Sequence, residues 1–223
     1  MKSFFLLALP FVLCAGLWAD EVFTYRVQRD KEIGTITMTV TQTDDGRTVR
    51  ESQDRGNEER TAEIDSRNST SAFHFRNVSA GTDYEAQRAG GKISVTGMLN
   101  NRALKREFSV NAEPWYQFPE QALGSVPPFT QAGTKFWLID AEECEIHEME
   151  AVPAGMESIS LMGAPVQARK IKVSPTGFAS LFWSALYWFG PAEEPYLRYE
   201  TTEGPLRGPR LLIEVVSRES HHE

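Results

Sequence analysis

Cysteine, histidine, positive charge and long apolar runs are all scarce in this chain of 223 residues. Of its two cysteines, Cys14 lies in the first nineteen residues and Cys144 stands alone in the rest. Once that leader is gone no intramolecular disulfide can staple the fold, so a packed core must hold it together. A lone cysteine of this kind is expected to be buried and inert. The chain carries 23 basic against 31 acidic residues, a net charge of −8, and no basic stripe of the sort that releases phosphate counterions. Nucleic acid is therefore excluded as a partner, and anionic head groups are excluded as an electrostatic target. An acyl chain is not excluded by charge.

The one extended apolar run sits at the start. Lys2 followed by "FFLLALPFVLCAGLW" and the small Ala19 reads as an export signal, residues 1–19, cleaved before Asp20. The run falls short of the ~20 residues a transmembrane helix needs. Bulky Leu13 before Cys14 argues against lipoprotein processing. The mature chain is expected to be periplasmic or secreted, with no transmembrane span.

What the remainder has in abundance is period-two alternation. In "GTITMTVTQTDDGRTVRES", Ile36, Met38 and Val40 alternate with threonines, and Asp44 to Gly46 supply a turn that returns Val49 on a partner strand. "AFHFRNV" sets Phe73 and Phe75 against His74 and Arg76. Gly90 and Gly91, and then Asn100 and Asn101, separate further alternating runs. "CEIHEMEAVPAGMESISLMG" offers a turn at Pro153 to Gly155, "APVQARKIKV" alternates again, and "RLLIEVVSR" forms a closing strand. Turn signals at this spacing predict an all-β, antiparallel, hairpin-built fold, a barrel or a curved half-barrel or sandwich with at most short helical turns. A single domain over 20–217 is expected, with 218–223 as a disordered tail containing His221 and His222.

Two stretches depart from the pattern. Residues 111–133, "NAEPWYQFPEQALGSVPPFTQAG", hold four prolines and four aromatics between two strand-rich halves. So many aromatics mark a packed cover rather than a solvated linker, with one helical turn at "PEQAL". In "GFASLFWSALYWFGPAEEPYLRYE", residues 177–200, a helix ending at Gly190 and Pro191 is compatible with the spacing of Phe178, Leu181, Phe182, Ala185, Leu186 and Phe189. A strand is equally compatible, with Trp183, Ala185, Tyr187 and Phe189 on one face and Phe182, Ser184, Leu186 and Trp188 on the other. Periodicity alone leaves both open.

"FWSALYWFGPAEEPYLRYE" with "GPLRGPRLLIEVV", and more weakly "GTITMTV" and "VPAGMESI", resembles a family of bacterial exported proteins known as domain of unknown function 3108. The resemblance implies an antiparallel β architecture in the cell envelope without catalytic residues to carry over. It favours a short turn at 176–181 followed by a hairpin. A strand apolar on both faces needs burial on both, one against the core and the other beneath the 111–133 cover.

Catalytic signatures are sparse. Ser94 in "GKISVTG" lacks the spacing of a nucleophile elbow, and no phosphate loop or dinucleotide fingerprint is present. "DAEECEIHEME" would place Glu143, Glu145 and His147 on one face of a strand, ~6.6 Å between neighbours. A metal-dependent enzyme built there ranks last. Ahead of it stand a non-enzymatic envelope protein holding a hydrophobic, lipid-like ligand, and an envelope protein-interaction module with a filled core. The ligand wall is expected at Trp183, Tyr187, Trp188 and Phe189, with Trp115, Tyr116 and Phe118 in the cover. No cofactor and no metal are expected.

Overall fold

Alternating sequence becomes strand throughout the computed structural model, which describes residues 19–53, 57–125, 133–190, 196–202 and 210–222. The leader before Ala19 lies outside these, as do 126–132 of the connecting segment and the "PAEEP" loop at 191–195. The first half contains β1 (Ala19–Arg29), β2 (Glu32–Thr43), β3 (Gly46–Gln53), β4 (Glu58–Asp65), β5 (Thr70–Asn77), β6 (Thr82–Ala89), β7 (Lys92–Leu99) and β8 (Arg102–Ser109). A short helix α1 (Pro119–Ala122) and a 3-10 turn (Leu123–Ser125) follow. The second half contains β9 (Thr134–Asp140), β10 (Glu145–Leu161), β11 (Ala164–Pro175), a 3-10 turn (Gly177–Leu181), β12 (Ala185–Phe189), β13 (Tyr196–Thr202) and β14 (Arg210–His222).

All fourteen strands form one antiparallel sheet in the order β8-β7-β6-β5-β4-β3-β2-β1-β14-β13-β12-β11-β10-β9. Each half is a meander of neighbouring hairpins, joined where β14 returns beside β1. The fold is therefore the all-β hairpin architecture expected, realised as a single sheet whose ladder does not close. Curvature brings one face of nearly every strand into a common core, from Phe23 and Met38 through Phe73, Tyr84 and Val95 to Phe136, Ile171, Tyr187 and Phe189. A smaller cluster of Ile159, Ala168 and Trp188 occupies the other face.

The free edges β8 and β9 are held together without being paired. Arg106 on β8 donates from Nη1 to the carbonyls of Cys144 at 2.6 Å and Glu143 at 3.1 Å, in the turn after β9. The Tyr84 hydroxyl donates to the Ala141 carbonyl in the same turn, at 3.0 Å. At the other end the chain leaving β8 makes a parallel bridge, Trp115 to Trp137, with Tyr116 N to Trp137 O at 2.9 Å and Trp137 N to Pro114 O at 2.8 Å. Thr70 N donates to Trp115 O at 2.7 Å, so this stretch reaches the β4–β5 corner as well.

Two details of the sequence reading are corrected. Pro153 to Gly155 is a bulge, not a turn: Pro153 pairs with Ile171 and Met156 with Arg169, so β10 runs on through seventeen residues. Proline withholds an N–H, Gly155 takes φ 93°, and a long partner strand on both sides of the bulge keeps the direction. The reversal comes at Met162 and Gly163, both at positive φ. Nor is 218–223 a loose tail as far as His222. Asp20 pairs with His221 and Ala19 with His222, because a backbone ladder accepts polar residues when a partner strand is present.

Gly97 shows what register demands. It lies opposite Tyr84 with φ 144°, and a Cβ there would stand 2.3 Å from Asp83 O and 2.6 Å from Tyr84 Cα. The missing side chain leaves room for the backbone of Asp83 and Tyr84 and for the Tyr84 Cβ. Gly97→Ala is expected to cost about 2–4 kcal/mol, adding backbone strain to overpacking. A denaturant midpoint equal to that of the parent would contradict this.

Candidate ligand-binding site

The strand reading holds for Ala185–Phe189, whereas Phe182 to Ser184 still belong to the turn after the 3-10 segment, and the strand splits the expected wall. Tyr187 and Phe189 face the main core with Trp183 packed partly against it, whereas Trp188 points to the opposite face with Leu186. Trp188 is covered there by Ile159, Ala168, Lys170 and Arg198 rather than by the connecting segment. Its indole donates to Glu157 at 3.1 Å. The wall on the concave face is completed by residues from strands remote in sequence. Tyr196 stacks on Tyr25 with centroids 4.7 Å apart and meets Tyr187 edge-on at 6.0 Å, and Tyr187 meets Tyr199 at 4.8 Å. Each such pair adds ~0.5–1.5 kcal/mol beyond its buried area.

The connecting segment lies on the concave side, not over the outer face. Trp115 and Phe118 are buried in the main core, with Tyr116 packed against Phe136 at 5.1 Å. Gln117 fixes the segment: its Oε1 accepts from Trp115 Nε1 at 2.9 Å and Ile139 N at 3.2 Å, and its Nε2 donates to Ile139 O at 2.8 Å. Pro119 then starts α1 where a missing N–H costs nothing. Arg47 on β3 donates to Gln121 O, and Arg169 on β11 donates to the carbonyls of Leu123 and Gly124. Cations at carbonyls left over by the last turn are the favourable end of the helix dipole. The segment thus fills the concave face and is clamped from two distant strands.

Charge also reaches this interior, which the sequence reading missed. Glu51 and Arg60 are register partners on the core-facing side of β3 and β4. Arg60 donates to Glu58 at 2.6 Å, stands 3.9 Å from Glu51, and covers the Phe75 ring at 5.7 Å. Burial pulls the guanidinium down, but Glu51 and Glu58 outweigh it and hold it above the ordinary arginine value. Even so, 32% of its side chain remains accessible. Glu120 on α1 is buried, and burial with the nearby Glu51 pushes its carboxyl up to about 8. Burial also raises Glu51, with Glu58 adding to the effect against Arg60. The phenols of Tyr25, Tyr187 and Tyr196 are raised well above their ordinary range by burial, with Glu120 and Glu51 among the further causes. The Tyr25 hydroxyl is buried without a hydrogen-bond partner among the described residues. A signal for this cluster was present: Glu51 shares a strand face with Val49, and Arg60 with Ala62 and Ile64.

The acidic cluster after β9 does not assemble. Glu142 N and Glu143 N both donate to Asp140 Oδ1 at 2.9 Å, and Cys144 takes φ 52°, so the strand begins only at Glu145. Glu143 is a turn residue and shares no strand face with Glu145 and His147. Cys144 is a free, buried thiol. Among the described residues no three His, Cys, Asp or Glu side chains are grouped to hold a metal, and no helix is long and apolar enough to cross a membrane.

These features define a class: an incompletely closed, barrel-like antiparallel sheet wrapped around a non-strand segment of its own chain. The same fold is found in the crystal structure of a beta-barrel-like protein of domain of unknown function DUF1849 from Brucella abortus. That structure has a TM-score of 0.65 and 9% identity over 91% of this chain and 98% of that one. Two further structures have a TM-score of 0.36 and carry no argument. One is the Pseudomonas aeruginosa MucA/MucB complex, at 14% identity over 91% of this chain and 52% of that one. The other is the hypothetical lipoprotein YmcC from Escherichia coli, at 9% identity over 90% and 84%. No family model and no curated protein matches the chain. The likeness supports the barrel-like β fold and does not support domain of unknown function 3108 in particular.

Glu120 makes the site pH-sensitive. Its carboxyl moves from an ordinary value of 4.5 to about 8 on folding. Across that interval the unfolded chain releases the proton and the folded chain keeps it. Stability present at low pH is therefore lost as pH rises towards 8, by up to ~1.4 kcal/mol per unit from this group. Glu120→Gln is expected to flatten the decline between about pH 5 and 8 and to stabilise the protein most at the upper end. Parallel pH–stability curves for parent and variant would refute the assignment.

Proposed function

We propose that this is a non-enzymatic, exported protein of the bacterial cell envelope that holds a hydrophobic, lipid-like ligand on the concave face of its sheet. The observation that carries this reading is the connecting segment itself. A curved sheet normally fills its interior with strand side chains, yet here a non-strand stretch, with Trp115 and Phe118 buried, occupies the concave face. Trp115, Tyr116 and Phe118 form the cover in this reading, and Trp183, Tyr187 and Phe189, with Tyr25 and Tyr196, form the wall. Trp188 acts from behind, by bracing β12 against its neighbours. Each ligand methylene taken from water onto the wall contributes ~0.8 kcal/mol, and opening of the cover sets release. Export rests on the 1–19 leader, and membership of the domain of unknown function 3108 rests on the 182–200 and 204–216 patterns.

A second reading, a protein-interaction module with a filled core, draws support from the 3-10 turn after β11. It buries no residue, and Phe178, Leu181 and Phe182 are 76%, 69% and 43% exposed. Exposed apolar groups clustered in this way suit a partner surface.

Native mass spectrometry of the protein purified without detergent from an exporting host, with organic extraction of the same sample, separates the two. The first reading expects a reproducible bound mass that extracts as lipid and is diminished in Tyr187→Ala. A bare protein mass, together with full secondary structure in the variant, would favour the interaction module.

A further inference from the structure

The two ends of the sheet differ in what their turns display. One register row runs from Val173 on β11 through Ala185, Thr201 and Leu211 to Arg29 on β1 and Glu32 on β2. The 3-10 turn after β11 and the β1–β2 turn therefore lie at the same end. The β5–β6 turn joins them there. Ile36 pairs with Gln53 at the end of β3, Glu58 at the start of β4 pairs with Asn77, and Val78 N donates to Asn57 O at 2.9 Å. Exposed apolar side chains gather at this end. Phe178, Leu181 and Phe182 occupy the 3-10 turn and the residue after it, Val78 the β5–β6 turn, and Ile33 and Met98 the adjoining ends of β2 and β7. The turns of the opposite end, at Asp44–Asp45, Ser66–Asn68 and Gly90–Gly91, are polar or small. Among the described residues, Met162 is the exposed large hydrophobic at that end.

The cluster on the 3-10 turn is held outward by its own hydrogen bonds. Thr176 anchors the base, donating from N to Glu148 O at 2.8 Å and from Oγ1 to the Glu148 carboxylate at 2.9 Å. Gly177 takes φ 68°, a left-handed conformation that turns the chain out of β11, and Phe182 N closes the turn on Ala179 O at 3.0 Å. Phe178 and Phe182 meet edge-on at 5.2 Å, and the turn buries none of its residues. At ~200 Å² per large apolar side chain, the exposed faces of Phe178, Leu181 and Phe182 sum to roughly 300–400 Å². That is about half of the ~800 Å² that each partner gives to a specific protein interface. Such an area suits shallow insertion among lipids, where binding follows apolar area and needs no complementary shape. Ile33, Val78 and Met98 sit on other strands and turns, and a fluid surface adapts to separated points of this kind. The net charge of −8 works against an anionic surface.

We propose that this end of the sheet docks on a lipid bilayer with zwitterionic head groups, with Phe178 and Leu181 inserted among the acyl chains. Phe182 and then the half-buried Trp183 follow towards the sheet, at the level of the head groups, where an aromatic ring suits a surface that is apolar on one side and wet on the other. The opposite end stays in water. The proposal goes beyond the ligand reading and does not rest on it, since docking needs no occupant on the concave face.

The test is flotation of the protein, purified without detergent from an exporting host, with phosphatidylcholine vesicles. Size-exclusion chromatography with light scattering is run on the protein alone. The parent is expected to float with the vesicles and to do so equally in raised salt. Phe178→Ser combined with Leu181→Ser is expected to lower the partition coefficient about tenfold or more, the loss of one to two buried apolar side chains. Both residues are exposed, so the denaturant midpoint of this double variant is expected to match the parent. Phe178→Trp is expected to keep binding, and Met162→Ser, at the opposite end, to bind as the parent does. A parent that stays off the vesicles, or a double variant that floats undiminished, would overturn the docking surface. Lipid in the extract of a parent that does not float would leave the ligand on the concave face standing. Binding seen only with phosphatidylglycerol and lost in raised salt would overturn the proposal too, as the mark of charge and not of apolar insertion. So would a parent dimer that the double variant converts to monomer, because the patch would then belong to a second copy of the chain.

Discussion

The two free edges of the sheet, β8 and β9, are bound to one another by hydrogen bonds that belong to no strand pair. Gln117 secures the segment that follows β8 against β9: one side-chain amide satisfies Trp115, Ile139 N and Ile139 O at once, in a buried setting where each lost partner costs ~1–3 kcal/mol. Arg106 and Tyr84 make the corresponding tie at the other end through the carbonyls of 141–144. A sheet of this size tends to curl under its own twist, and these contacts decide how far it curls. The concave core, the position of α1 and the crowding of Tyr25, Tyr187 and Tyr196 are all consequences of that closure.

Closure has an electrostatic consequence. Wrapping places Glu51, Arg60 and Glu120, from two adjacent strands and a helix far along the chain, within one low-dielectric interior. Two carboxylates facing one another away from water are unfavourable, so one of them keeps its proton near neutrality. Arg60 answers the charge of Glu51 and Glu58 while remaining partly accessible. A core optimised for packing alone would contain none of these groups.

Much of the architecture was legible. Period-two alternation located the strands of the first half, and Asp44–Gly46, Gly90–Gly91 and Asn100–Asn101 lie at hairpin turns. The helical turn at "PEQAL" and the alternation of Tyr187 and Phe189 against Trp188 were also readable, because local chemistry sets both. Pro153 to Gly155 misled because a bulge and a turn use the same residues, and only the length of the partner strand distinguishes them. His221 and His222 misled because pairing with β1 is a property of the backbone and leaves no trace in side-chain pattern. The Glu51–Arg60 pair was visible as charge on an apolar face, but Glu120 was not, since nothing local brings α1 to β3.

By itself the sequence determined the strands and hairpin turns of the first half and the net negative charge, since these follow from side-chain period, turn residues and composition. Only the tertiary structure decided which face of the sheet the connecting segment fills, that the ladder stays open, and that Glu120 comes near Glu51. Each of these depends on contacts between residues tens to more than a hundred positions apart. The curvature of the whole sheet sets such contacts, and no local pattern encodes it.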